Sequence, residues 1–455
     1  MMKLTEAARA IGAGNSGNDS DFLSVSTDSR SIGAGQLFIA LQGERFDGHA
    51  YVSDVLARGA AGAMVSREFA SRHPDFPLLV VDDTRGGFAA LASHWRRRFV
   101  LPLIAVVGSN GKTSAKEMCA AILREHFGVD AMLATAGNLN NDIGVPTMVL
   151  RLGGQHRAAV IEIGMNHPGE TALLAPIAQP TVALINNAQR EHQEFMKSVE
   201  AVAEEHAAVI DVLGQEGIAV FNADDDHAAL WRERAGARRA IGFGLEHGEV
   251  RGNYHTGSFG GPLTLNTPWG RIETTLCVPG QHNALNACGA AAACLAAGVS
   301  PDAVGRGLAG FSGVKGRLQR RQGRRGALVI DDTYNANPDS MRAAVDVLSA
   351  TPGRRIFVMG DMGEVGDAAG QMHDEIGGYA KSHGVDRLLC LGDYSPAAAS
   401  NFGPGGEHFT RLDELIRTVK SELGEHVTVL VKGSRFMRME RVADAIVEEE
   451  VNHAA

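Results

Sequence analysis

Residues 103–118, LIAVVGSNGKTSAKEM, run from an apolar stretch through Gly108-Ser109-Asn110-Gly111 into a segment opening on Lys112-Thr113. A buried strand, a glycine loop and a helix in that order constrain the fold strongly. Parallel strands cannot be joined by tight hairpins and need crossover helices that cover both sheet faces. The usual phosphate loop reads G-x-x-x-x-G-K-[ST]. Counting back five from Gly111 reaches Val106, so this cradle is shorter and opens at Gly108. A glycine turn alone accounts for the glycines, but not for lysine and threonine directly after them. In this context the loop N–H groups and the helix N-terminus would hold phosphates, with Ser109, Asn110 and Ser114 in the same cradle. Lys112 would reach the terminal phosphates and the Thr113 hydroxyl would ligate Mg²⁺.

The rest of the chain keeps this rhythm. GQLFIAL (35–41), a helix-then-strand segment at 51–66 and PLLVVDD (77–83) make a small α/β unit. A helix follows, in which Arg96, Arg97 and Arg98 read as a solvated face. Around the loop, strands are expected at 103–108, 158–164, 181–187 and 218–224, with an Ala-rich helix at 282–298. After a glycine- and arginine-rich stretch at 311–326, strands and helices alternate again to the C-terminus in a Rossmann-like pattern. The expected class is α/β with three domains: 1–82, a central ATP-binding unit with a mostly parallel sheet at 83–313, and a Rossmann-like unit at 314–455.

Composition adds exclusions. With 455 residues, 44% hydrophobic, 21% charged and a net charge of −10, the chain is globular and acidic, which speaks against nucleic-acid or anionic-membrane binding. Five cysteines without a C-x-x-C pair suit a reducing compartment. No run approaches the ~20 apolar residues of a membrane span. A cytoplasmic monomer without membrane insertion is expected.

In an open α/β sheet, ligands gather at the carboxyl ends of strands. Glu162 ends one strand and is a natural Mg²⁺ ligand, or a solvated strand-end carboxylate; His192 follows the next strand at the same edge. AGNLNNDIGVP (136–146) carries amides, Asn138 and Asn141 among them, that suit a polar substrate or a structural Asx turn. DDTYNANPDSM (331–341) and LVKGSRFMRME (430–440) place two more polar loops at strand ends, with Asp332, Tyr334, Asn335, Asn337, Lys432, Ser434 and Arg435 as candidates. Asn337-Pro338 also reads as an ordinary helix start.

Together these segments resemble the Mur ligases, which add amino acids to the peptidoglycan precursor. The short loop, Glu162, His192, NADD (222–225), GQHNALNA (280–287), Gly316-Arg317 and DDTYNANP fall in that family's order. TDSR (27–30), LFIALQGERFDGHAY (37–51), GDMGEVG (360–366) and VKGSRFMRME are similar to the branch that adds D-alanyl-D-alanine. The resemblance implies an N-terminal domain for a UDP-sugar precursor, with Ser26, Thr27, Asp28, Ser29 and Arg30 near the UDP moiety. It implies that Asn286 reads adenine, Arg317 meets the phosphates, Asp332 sits near the nucleotide, and Glu162 and His192 hold Mg²⁺. The reaction implied is ATP-driven ligation of D-Ala-D-Ala to UDP-MurNAc-tripeptide through an acyl phosphate. The loops at 331–338 and 432–435 would close over the site.

One position departs from the family. Most members carry a carbamylated lysine about two helix turns beyond His192; here His206 stands there. Either His206 itself binds metal, or Glu204 or Glu205 supplies the charge, or water organises the second site. The preference of Mg²⁺ for oxygen favours a carboxylate or water. Competing readings are a Mur ligase adding a single amino acid, a folylpolyglutamate synthetase-like ligase, and a nucleotide-binding switch without catalysis.

Overall fold

The computed structural model describes residues 1–448 apart from Thr256 and Ser258. It contains three principal sheets, one for each unit. In the first, the order is Gly14–Ser16, Leu78–Val81, Gly62–Ser66, Gln36–Ile39, Ser24–Ser26, parallel except at the Gly14 edge.

The central sheet has nine strands, and Leu103–Val107 lies in its interior between Ala158–Glu162 and Val182–Ile185, parallel to both. All five residues of Leu103–Val107 and of Ala158–Glu162 are buried, as expected where helices cover both faces. Because the neighbours lie on opposite sides of Leu103–Val107, the connections diverge there and leave a crevice beyond the strand ends. The phosphate loop sits at this point. The Ala-rich helix, Gln281–Ala296, is almost wholly buried against the phosphate-loop helix and the sheet. Its small side chains permit that close approach: a Cβ on Gly289 would stand 2.9 Å from the Phe243 ring.

Sequence reading assigned nothing between 225 and 279. There the chain adds Arg239–Gly244, then Val250–Tyr254, Gly261–Thr267 and Gly270–Leu276; the last two strand pairings are antiparallel and extend the sheet edge. The C-terminal sheet has six strands in the order Gln319–Gln322, Leu328–Asp332, Val427–Lys432, Arg354–Gly360, Arg387–Leu391, Gly406–Phe409, antiparallel only at its first pair.

The arginine run needs correction. Arg97 and Arg98 are exposed, but Arg96 is only 5% exposed. It donates to the carbonyls of Ala178, Phe99, Leu101 and Gln179 at 2.9, 2.7, 3.4 and 3.2 Å. A guanidinium's fork of donors suits a buried place where several loop carbonyls converge. Burial also pulls its pKa down.

Candidate active site

The phosphate loop lines a cleft of about 1060 Å³ between the central and C-terminal sheets. Gly108 and Gly111 have φ of +136° and +77°, and a Cβ on Gly111 would stand 2.4 Å from Asn286 Oδ1. Both positions therefore require glycine. The helix from Lys112 to Phe127 has no side-chain cap and no acidic residue in its first turn, which leaves its N-terminus open to an anion. Asparagines brace the loop from beneath. Asn187 Oδ1 accepts from the Asn110 N–H at 2.8 Å, and the Asn186 amide donates to the Asn110 carbonyl at 2.7 Å. Asn286 is buried and accepts from Asn186 at 2.8 Å, so this side chain packs directly under Gly111.

Lys112 is folded back. Its Nζ donates to the Gly108 and Ser109 carbonyls and lies 3.2 Å from Glu191 Oε2. Glu191 was missed by sequence reasoning, because a glutamate in AQREHQ looks like any solvated loop residue. It is 5% exposed and accepts from His206 Nε2 at 3.1 Å. Burial opposes its ionisation. Lys112, the His206 hydrogen bond, and the His206 and His192 imidazoles outweigh that and hold its carboxyl at about 2.

Glu162 is 2% exposed; its Oε1 accepts from Asn140 at 2.8 Å, and its Oε2 has no protein partner. The cleft-facing amide of its loop is thus Asn140. Asn141 also lines the cleft and accepts from the Gly144 N–H at 2.9 Å, whereas Asn138 is exposed outside the cleft. His192 has φ +47° and lies with Nδ1 2.6 Å from Glu364 Oε2. The His192 ring beside it keeps the Glu364 carboxyl below its ordinary range, against the cost of burial. Glu364 is itself left-handed, with φ +59°. Two non-glycine residues in this region, facing each other across the cleft, mark a junction held by its surroundings.

His206 is buried, with Nδ1 unpartnered. The two glutamates before it do not serve the cleft. Glu205 accepts from the Gly169 and Thr171 N–H groups, both at 2.7 Å, and caps the helix that begins there. Glu204 is half exposed and pairs with Arg234 at 3.6 Å.

The C-terminal unit closes the far wall. Arg317 donates to the Thr113 hydroxyl at 2.8 Å and lies 4.2 Å over the Tyr334 ring. Asp332 accepts from the Leu318 N–H at 3.0 Å and pairs with Lys432 at 2.6 Å, and Lys432 also donates to the Asn335 carbonyl. Asn337 caps the helix at Pro338 in a capping box and exchanges amide hydrogen bonds with Asn110 at 3.0 and 3.2 Å. Ser434 is buried outside the cleft lining, where it donates to the Ala336 carbonyl and accepts from the Gly363 N–H. Arg435 is mostly exposed, pairs with Glu440, and does not enter the cleft.

Ser26 and Thr27 line a second cavity of about 500 Å³ with Trp95 and Arg151, between the N-terminal and central units. Asp28, Ser29 and Arg30 lie outside that lining. Arg30 grips Asp28 through two hydrogen bonds of 2.9 Å and holds its carboxyl at about 2, and the Ser29 carbonyl accepts from Arg58.

A phosphate cradle at a topological switch point, facing basic loops of a second α/β sheet across a deep cleft, defines a nucleotide-dependent ligase class of fold. Residues 22–95, 106–294 and 316–435 match three family models: the Mur ligase family catalytic domain, the Mur ligase middle domain, and the Mur ligase glutamate ligase domain. The chain belongs to the Mur ligase family. It is 41% identical, over 95% of both chains, to UDP-N-acetylmuramoyl-tripeptide–D-alanyl-D-alanine ligase of Escherichia coli K12, and 38% identical, over 92% of both, to the Haemophilus influenzae enzyme of that name. The crystal structure of MurF from Acinetobacter baumannii superposes with a TM-score of 0.90 at 34% identity, covering 98% of each chain.

Proposed function

We infer that this chain joins D-alanyl-D-alanine to the terminal carboxylate of UDP-N-acetylmuramoyl-tripeptide at the expense of ATP. The observation that carries this reading is the cleft itself, with Lys112 on one wall and Arg317 and Lys432 in the other, in a chain 41% identical to a ligase of that name. The substrate carboxylate attacks the γ-phosphorus of ATP, and the β–γ bridging bond breaks to release ADP. The dipeptide nitrogen then attacks the acyl carbon of the mixed anhydride, loses a proton, and expels phosphate. The first step brings two anions together, so charge neutralisation and alignment carry it. Lys112 swings from the Gly108 and Ser109 carbonyls to the phosphates, and Arg317 leaves Thr113 for the same oxygens. The acyl phosphate hydrolyses in water, which gives the closed C-terminal loops a purpose.

The residues fit Mg²⁺. Thr113 and Glu162 offer oxygen, and the Glu162 Oε2 atom is buried without a partner. Among the described residues no three His, Cys, Asp or Glu side chains form a ready-made metal cage. Mg²⁺ takes oxygen ligands, which Thr113 and Glu162 would supply. When bound, it would screen the phosphate charge. Ser26 and Thr27, in the second cavity, would meet the UDP end of the substrate. We set the domain limits at 1–82, 83–313 and 314–455, with one principal sheet in each. No described helix is long and apolar enough to cross a membrane.

The test is product mass. Incubation with ATP, the UDP-tripeptide and D-Ala-D-Ala should give the two substrates joined less one water, and Lys112→Ala should abolish it. A product carrying a single amino acid instead would assign another member of the family.

A further inference from the structure

The carboxylate of Glu191 lies in the central unit's wall of the cleft, at the centre of its charge. Its Oε2 meets Lys112 Nζ at 3.2 Å and lies 3.8 Å from His192 Nε2, while its Oε1 accepts from His206 Nε2 at 3.1 Å. Glu191 and Glu162 line the same cleft, both at least nine-tenths buried. Glu162 Oε2 there has no protein partner. We propose that Glu191, held by His206, is the anionic ligand of a second divalent cation in this cleft, taking the metal in exchange for Lys112. The proposal rests on the ligase reading above.

With Lys112 folded back, Glu191 has a cationic partner. When ATP enters, Lys112 turns to the phosphates and that partner is lost. A buried carboxylate stripped of its counter-charge is strongly unfavourable. A divalent cation held by Glu191 would replace the lost charge. His206 is suited to hold the carboxylate still. Its Nε2 donates to the carboxylate and its Nδ1 is buried without a protein partner, so no other group competes for the ring. An imidazole that donates to the ligand, rather than binding Mg²⁺ itself, also respects the preference of that ion for oxygen. Neither neighbouring glutamate can take the place, since Glu205 caps a helix and Glu204 faces Arg234. Position 206 therefore supplies a positioning residue, and the charge comes from position 191.

The test counts Mn²⁺ bound by the full chain with β,γ-methylene-ATP, read by electron paramagnetic resonance. The wild type should bind two ions per chain. Glu191→Gln, which keeps the shape and a hydrogen-bonding group for His206, should lose the weaker ion or bind it at least 30-fold less tightly, with the nucleotide still bound. His206→Gln should weaken the same ion by a smaller factor, and Glu204→Gln should leave both unchanged. One ion in the wild type, or two in Glu191→Gln within twofold of wild-type affinity, overturns the proposal. In that second case Glu191 is only the counter-ion of Lys112. Amine-dependent ADP release by the wild type decides the ligase reading separately. A chain that passes that assay and keeps both ions in Glu191→Gln sinks this proposal alone.

Discussion

Arg190 of the central unit grips Asp339 of the C-terminal unit: Nη2 lies 2.6 Å from Asp339 Oδ1, and the backbone N–H donates to Oδ2 at 2.9 Å. The same guanidinium meets both oxygens of Glu375 at 3.0 Å. A planar cation shared between two carboxylates is a directional clasp. Together with Asn110–Asn337 and His192–Glu364 it holds the two sheets over the cleft. Arg190→Ala should loosen that closure. Small-angle scattering should show a larger radius of gyration without nucleotide, and kcat/KM for the dipeptide should fall roughly 30-fold. Phosphate release without the dipeptide should rise as water reaches the acyl phosphate. An unchanged radius and unchanged kcat/KM would show that the clasp is dispensable.

Gly111 and Gly128 bracket the phosphate-loop helix, and both have positive φ, +77° and +93°. Only Gly111 is crowded: the Cβ of an alanine there would stand 2.4 Å from Asn286 Oδ1 and 2.7 Å from Asn186 Nδ2, whereas at Gly128 it would meet nothing within 4 Å. Gly111→Ala should weaken ATP binding by about 2 kcal/mol, roughly 30-fold. Gly128→Ala should cost about 1 kcal/mol of stability and leave ATP affinity alone. Calorimetric titration of ATP with both variants checks this.

Arg96 joins four carbonyls that would lose their donors in Arg96→Ala, so that variant should be less stable by about 3 kcal/mol. Exposed Arg97→Ala should stay within about 0.5 kcal/mol of wild type. Denaturant melts of the two variants make the comparison.

Cys277 is exposed, and Cys119, Cys288, Cys294 and Cys390 are buried. Burial pushes the Cys288 thiol up to about 12 and raises Cys294 and Cys390 as well. Thiolate is the reactive form. A disulfide reagent should therefore titrate one thiol quickly in the native chain and all five after denaturation. Two or more fast thiols in the native chain would contradict the packing described.

The phosphate loop was legible because its chemistry is written locally: strand, two glycines, Lys112, Thr113, helix. Glu162 and the Asn337 helix start were legible for the same reason, since each sits at the end of a recognisable element. Glu191 was not. Its burial depends on the left-handed turn at His192 and on His206 arriving from a later helix, neither of which a local pattern states. Arg96 differs from its two neighbours only in the direction it faces. In the 136–146 loop, Asn140 rather than Asn138 turns inward, a choice made by the phase of the chain. Arg435 follows a strand as Lys432 does, but the turn carries it past the cleft to Glu440. The edge strands between 250 and 276 were missed because they carry few apolar residues, Leu263 and Leu265 in one and Ile272 and Leu276 in the next.

Turnover of ATP in this cleft is tied to making an amide. This coupling is tested most directly by following ADP release with each substrate omitted in turn. Sustained ADP release should require both UDP-N-acetylmuramoyl-tripeptide and D-alanyl-D-alanine, with one ADP for each amide formed. Equal ADP release with either one left out would contradict it.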